Sequence, residues 1–174
     1  MLAKVLAGAP LGIDAYPVEV EVDIAQGLPQ FATVGLPDGA VKESKDRVRA
    51  ALANCGYEFP AGRVTVNLAP ASLRKSGAGL DLPIAVGILV ASAQLPPAPF
   101  AGCELYGELS LGGDLHAIRG ALPTALQGTR ALIMRAAQTG RPALQLARRV
   151  VQPVVDSVLK NEFSIVGLAA LKDH

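Results

Sequence analysis

Val34-Gly35-Leu36-Pro37-Asp38-Gly39-Ala40-Val41-Lys42-Glu43-Ser44 is followed, after 21 intervening residues, by Val66-Asn67-Leu68-Ala69-Pro70-Ala71-Ser72-Leu73-Arg74-Lys75-Ser76-Gly77-Ala78-Gly79-Leu80-Asp81-Leu82-Pro83-Ile84-Ala85. Each stretch leaves a strand, passes a Gly/Pro turn and enters a helix. Asp38 is a good N-cap, and Glu43 suits the first turns of a helix. Val41, Val48, Leu52 and Cys55 fall on one apolar stripe, and Gly56 closes the helix at C′. Lys42, Lys45, Asp46 and Arg49 share a flank, while Glu43 and Arg47 pair at i, i+4. In the second stretch, residues 69–80 read as a loop. Asp81 caps the next helix, with Pro83 in its first turn. That helix, residues 82–95, is apolar nearly all round, so it belongs inside a core, and Pro96-Pro97 ends it.

Working outward, residues 3–8 and 18–24 read as strands. Val18, Val20, Val22 and Ile24 alternate with Glu19, Glu21 and Asp23, giving one apolar and one solvated acidic face. Phe31 to Val34 and Arg63 to Leu68 are further short strands. Leu105 to Leu111 and Asp114 to Ile118 flank Gly112-Gly113, a hairpin signal. A helix over Ala121 to Gln127 and a strand over Ala131 to Met134 follow. Helices near 143–150 and 153–160 and a strand from Phe163 to Val166 complete the reading. The class is α/β (α+β), a mixed sheet with packed helices in a single domain.

Composition sets the limits. The chain has 174 residues, 51% of them hydrophobic, enough for a sizeable core. Aromatics are only 4%, so Ala, Val and Leu fill it. A formal net charge of +1 argues against a dedicated polyanion binder but leaves room for a local basic patch. Cys55 and Cys103 form no C-x-x-C pair or Cys/His cluster, which argues against a structural metal site and reads as two reduced thiols. No signal-peptide pattern is visible, and the longest apolar run falls short of the about 20 residues that span a membrane. The expected location is the cytoplasm, with no membrane partner.

No nucleophile, metal or nucleotide motif stands out. The loop Arg74-Lys75-Ser76-Gly77-Ala78-Gly79 precedes a helix N-terminus, where backbone N–H groups suit an anion, yet it reads equally as a surface loop with two solvated cations. It is not a Walker A loop, because no Gly-Lys dipeptide occurs in the chain. Lys42, Lys45 and Arg49 form a short basic strip interleaved with Glu43 and Asp46. Lys42, Lys45, Arg49, Arg74 and Lys75 are therefore the candidate contacts for nucleic acid or a partner, against the plainer reading of a solvated face. Ser72, Ser76, Ser92 and Ser110 lie outside any G-x-S-x-G elbow. His116 reads as structural and His174 as a frayed terminus.

The two opening stretches, with Gly12 to Ile24 (GIDAYPVEVEVDI), Gly27 to Ser44, Arg47 to Leu52 and Asp81 to Leu89, resemble the N-terminal domain of the Mg-chelatase-like AAA+ ATPases of the competence protein ComM group. The match runs from about Met1 to Leu132 and fades after residue 134, so no role is carried into residues 135–174. The resemblance implies a Lon-protease-domain-like fold. The serine position of Lon falls on Gly79 and the lysine position on Leu122, so the Ser-Lys dyad is missing. Catalytic residues, cofactors and metals are expected to be absent from this stretch. The family's proteins continue into an ATPase domain, to which ATP and magnesium belong. The implied role is a non-catalytic accessory domain of a hexameric ATPase in DNA remodelling and branch migration during natural transformation. Its implied partners are its own AAA+ domain, sister subunits and, as a candidate, DNA. The alternatives are a purely structural oligomerisation module, a domain of a Mg-chelatase-type ATPase subunit, and a cryptic hydrolase. The DNA reading predicts that the helix cations and the loop cations share a surface.

Overall fold

The computed structural model describes residues 1–12, 14–101, 103–116, 124 and 132–133. Strands β1 (Leu2–Leu11) and β2 (Asp14–Ala25) form an antiparallel hairpin. Then come β3 (Gln30–Val34), α1 (Gly39–Asn54) and β4 (Arg63–Ala69). A 3-10 turn, Ala78–Leu80, leads into α2 (Asp81–Ala91). Short strands β5 (Glu104–Leu105), β6 (Glu108–Leu109), β7 (Leu115–His116) and β8 (Leu132–Ile133) follow.

One mixed sheet of six strands runs in the order β3-β4-β2-β1-β5-β8. β2 pairs antiparallel with β1 and β4, whereas β3/β4, β1/β5 and β5/β8 are parallel. β3-α1-β4 is thus a β-α-β unit, which is how two adjacent parallel strands are joined. The period-2 pattern of β2 places Val18, Val20 and Val22 fully inside, beside Val5 and Ala7 of β1 and Val64, Val66 and Leu68 of β4. α2 lies on that face and α1 packs beside it. All eleven residues of α2 are buried, ten as its apolar run Leu82–Ala91 predicts and Asp81 beside them. Each large aliphatic side chain so buried contributes about 1.5–3 kcal/mol.

The opposite face is polar and cross-linked. Lys4 Nζ donates to Glu19 at 2.9 Å and pairs with Glu21 at 2.7 Å, and Asn67 Nδ2 donates to Glu21 at 2.8 Å. The expected acidic face is therefore a ladder running across β1, β2 and β4.

Several expectations change in detail. α2 ends at Ala91 rather than residue 95, because Ser92 leaves the helix and Ala93 takes φ 59°. The run 105–111 divides: Glu104–Leu105 joins the main sheet, whereas Glu108–Leu109 pairs with Leu115–His116 in a separate hairpin. Asp38 caps α1 as expected, and Gly56 follows the C-cap at φ 80°. Asp81 does not cap α2. It is the first helical residue, Leu80 occupies the cap position, and the Asp81 carboxylate turns to Arg47. Neither cysteine forms a disulfide. Of the expected helix at 121–127 only Thr124, which is helical, is described; the helices at 143–150 and 153–160 and the strand at 163–166 lie outside the described residues, as do Leu122 and His174.

Candidate interaction surface at the first helix and the 70–79 loop

The two motif stretches meet at the N-terminus of α1. Asp38 Oδ1 accepts from Val41 N–H at 2.9 Å, and Oδ2 accepts from Gly77 N–H at 3.2 Å. One carboxylate thus caps the helix and holds the loop. The main chains also pair: Lys75 N–H donates to Leu36 O at 3.1 Å and Asp38 N–H to Lys75 O at 3.0 Å, a parallel bridge centred on Pro37 and Lys75. Leu36 sits in the left-handed region at φ 55°, uncommon for a bulky residue, and is kept there by this bridge. From the other side, Tyr16 Oη donates to Arg74 O at 2.6 Å, and partial burial pushes its phenol pKa up.

This bridge decides which cations reach solvent. Successive residues of an extended segment point to opposite sides. Arg74 is exposed, and Lys75 turns inward to full burial, where Nζ donates to Pro70 O. The expectation of two solvated cations in this loop therefore holds for Arg74 and fails for Lys75. On α1, Lys42 and Arg49 are exposed and Lys45 is half-buried, along one stripe at i, i+3 and i+7. The Arg49 guanidinium lies 5.2 Å from the Phe59 ring centre, which itself tilts against Phe31. Lys42 and Arg74 are brought to the same end of α1 by the Asp38 bonds. Lys75 is not part of that surface.

Burial lowers the Lys75 pKa below its ordinary 10.5. Between the lowered value and 10.5 the folded protein binds fewer protons than the unfolded chain, so stability rises with pH across that window. Lys75→Met removes this dependence. Urea midpoints at pH 8 and pH 10 are expected to differ less in the variant than in the parent, and an unchanged difference would place the ammonium in water.

Behind the surface lies an ion pair that the sequence reading missed. Arg47 Nε donates to Asp81 Oδ2 at 2.7 Å and Nη2 to Oδ1 at 3.0 Å, while Nη2 also reaches Ala40 O at 2.9 Å. Asp81 is fully buried and also accepts from Leu109 N–H at 3.3 Å. Burial pushes the Asp81 carboxyl up, and the guanidinium and the N–H pull it back. The expected Glu43 contact exists but is loose, at 3.8 Å. The signal available in sequence was an aspartate opening a helix otherwise free of charge.

The position that the Lon resemblance gives to serine is closed. A Cβ on Gly79 would lie 2.1 Å from the Tyr106 ring, and Gly107 N–H donates to Gly79 O at 2.7 Å. Glycine is needed there for close packing. Among the described residues, no cluster of three or more His, Cys, Asp or Glu could hold a metal ion. His116 is exposed on β7. No described helix is long and apolar enough to cross a membrane.

Comparison with known proteins gives the relationship. Residues 20–136 match the family described as subunit ChlI of Mg-chelatase. The chain belongs to this Mg-chelatase-like family. It is 51% identical over 130 residues to the YifB protein of Salmonella typhimurium, covering 75% of this chain and 26% of that protein. It is 48% identical over 129 residues to YifB of Escherichia coli, covering 74% and 26%. Competence protein ComM of Haemophilus influenzae is 48% identical over 125 residues, covering 72% and 25%. The matched stretch thus spans about a quarter of each of these relatives.

Proposed function

We propose that this chain is a non-catalytic N-terminal accessory domain of a hexameric AAA+ ATPase that remodels DNA, driving branch migration during natural transformation in the cytoplasm. The observation that carries the reading is the near-half identity to competence protein ComM across most of the chain. The exposed cations Lys42, Arg49 and Arg74, with the half-buried Lys45, give α1 and its loop a physical means of touching phosphates. The domain's own AAA+ module and sister subunits are its proposed partners.

The chemistry is binding rather than turnover. No peptidase step is assigned, since Gly79 offers no hydroxyl and Tyr106 fills the space beside it. The fold reads as Lon-like without its dyad. ATP and magnesium do not fit the loop before α2: no Gly-Lys dipeptide is present, and Lys75 points into the protein toward Pro70 O. They belong to the ATPase domain of the parent protein.

The test is DNA binding by the 174-residue chain against salt. Log affinity falls with log salt by about 0.9 per neutralised phosphate on duplex DNA, so the four solvent-reaching cations predict weak, sequence-independent binding with a slope of about −3 to −4. The triple variant Lys42→Ala, Arg49→Ala, Arg74→Ala is expected to lose most of both affinity and slope, whereas Lys75→Met keeps them. Tight, salt-insensitive or sequence-specific binding would overturn the proposal. The family description favours one other reading, a domain of a Mg-chelatase-type ATPase subunit. Binding no stronger in the parent than in the triple variant would select it.

A further inference from the structure

Among the described residues, β3 is the outer strand of the sheet, paired with β4 on one side only. Exposed edges are normally guarded by charge, proline or a bulge. This one is not. From Gln26 to Pro37 the chain carries no charged side chain. Val34 is 47% exposed, and on either side of the strand Leu28 is 86% and Leu36 55% exposed.

The direction of the free hydrogen-bonding groups follows from the register. Gln30 pairs with Arg63, and Gln30 N–H donates to Gly62 O at 3.5 Å. In a parallel ladder, alternate residues turn both N–H and C=O to the same neighbour. Gln30, Ala32 and Val34 therefore face β4. Phe31 and Thr33 present their N–H and C=O at the open edge.

We propose that β3 is a self-association edge, pairing antiparallel with β3 of a second copy of this chain about a two-fold axis at Ala32. The edge matches itself in that register. Phe31 faces the partner's Thr33, and Thr33 the partner's Phe31, so both outward-facing residues form hydrogen-bonded pairs. Ala32 faces the partner's Ala32, where two methyl groups fit side by side. Gln30 faces the partner's Val34. Like charges are nowhere opposed, because there are none.

The proposal goes beyond the DNA-binding reading and its test is independent of it. Sedimentation of the full chain is expected to show the average mass rising toward a dimer between about 10 μM and about 1 mM, as suits a small interface. Thr33→Pro removes an outward N–H without touching the β4 ladder, and Val34→Lys charges the edge. Both are expected to hold the chain monomeric with an unchanged circular dichroism spectrum. Ala32→Cys reports the register even if Thr33→Pro misfolds. Its thiols would lie on facing residues with Cα atoms about 4.5 Å apart and should cross-link rapidly under mild oxidation. Gln30→Cys and the parent should not. A parent that stays monomeric at the highest concentration, or Ala32→Cys cross-linking no faster than Gln30→Cys, overturns the proposal. An edge that captures only an extended segment of a different protein gives that same monomeric result.

Discussion

Arg47→Met is expected to destabilise the domain by about 3–5 kcal/mol, because it leaves the Asp81 carboxylate buried and uncompensated. Asp81 is fully inside, and Arg47 supplies two of its hydrogen bonds. The remaining donor, Leu109 N–H at 3.3 Å, is too weak to replace them. In urea the midpoint should fall by about 2 M, given ordinary denaturant slopes. The double variant Arg47→Met, Asp81→Leu is expected to recover most of that loss, since a well-packed apolar pair replaces a buried ion pair at little cost. A double variant no better than the single would mean that the loss comes from Arg47 packing rather than from the stranded charge.

The pH dependence carries a definite sign. Burial already pushes the Asp81 carboxyl above its ordinary 3.8, and Arg47 opposes that rise. Removing Arg47 lets it rise further. The folded variant then binds a proton that the unfolded chain does not, over the window above 3.8. The deficit of Arg47→Met relative to the parent should therefore shrink as pH falls through this window and be largest at neutral pH. A deficit independent of pH would separate it from the Asp81 charge.

Gly35→Ala should be of similar size. Gly35 has φ 97°, and a Cβ there would lie 2.2 Å from the carbonyl oxygen of Leu68. The obstacle is backbone of β4, which cannot swing aside as a side chain would. Positive φ alone costs an alanine about 1–2 kcal/mol, and the clash raises the expected total to about 3 kcal/mol or more. Gly12→Ala is the control, since Gly12 has φ 65° with nothing within 4 Å of the added Cβ. It should show the backbone part alone. Equal thermal shifts for the two variants would mean that the Leu68 contact relaxes without loss.

Local rules made much of the fold legible. The alternation of Val18 to Ile24, the Asp38 cap, the α1 stripe closed by Gly56 and the apolar composition of α2 are set by neighbours a few residues apart. They were readable for that reason. The candidate surface was legible in part. Helical spacing put Lys42, Lys45 and Arg49 on one stripe. Spacing could not orient the loop cations, because their directions depend on the bridge between Lys75 and Leu36-Pro37-Asp38.

What the sequence by itself determined is the set of elements: the strands, the capped helix, the buried helix and the absence of a Walker loop. The tertiary structure alone decided three matters. Asp81 is an ion-pair partner and not a cap, because Arg47, 34 positions earlier, is delivered to it by the packing of α1 on α2. Lys75 is a buried strut and not a surface charge, because the loop is stitched to α1. β3 is an edge, because strand order places β4 on one side of it and nothing among the described residues on the other. Each depends on contacts between segments distant in the chain, and periodicity and capping carry no information about those.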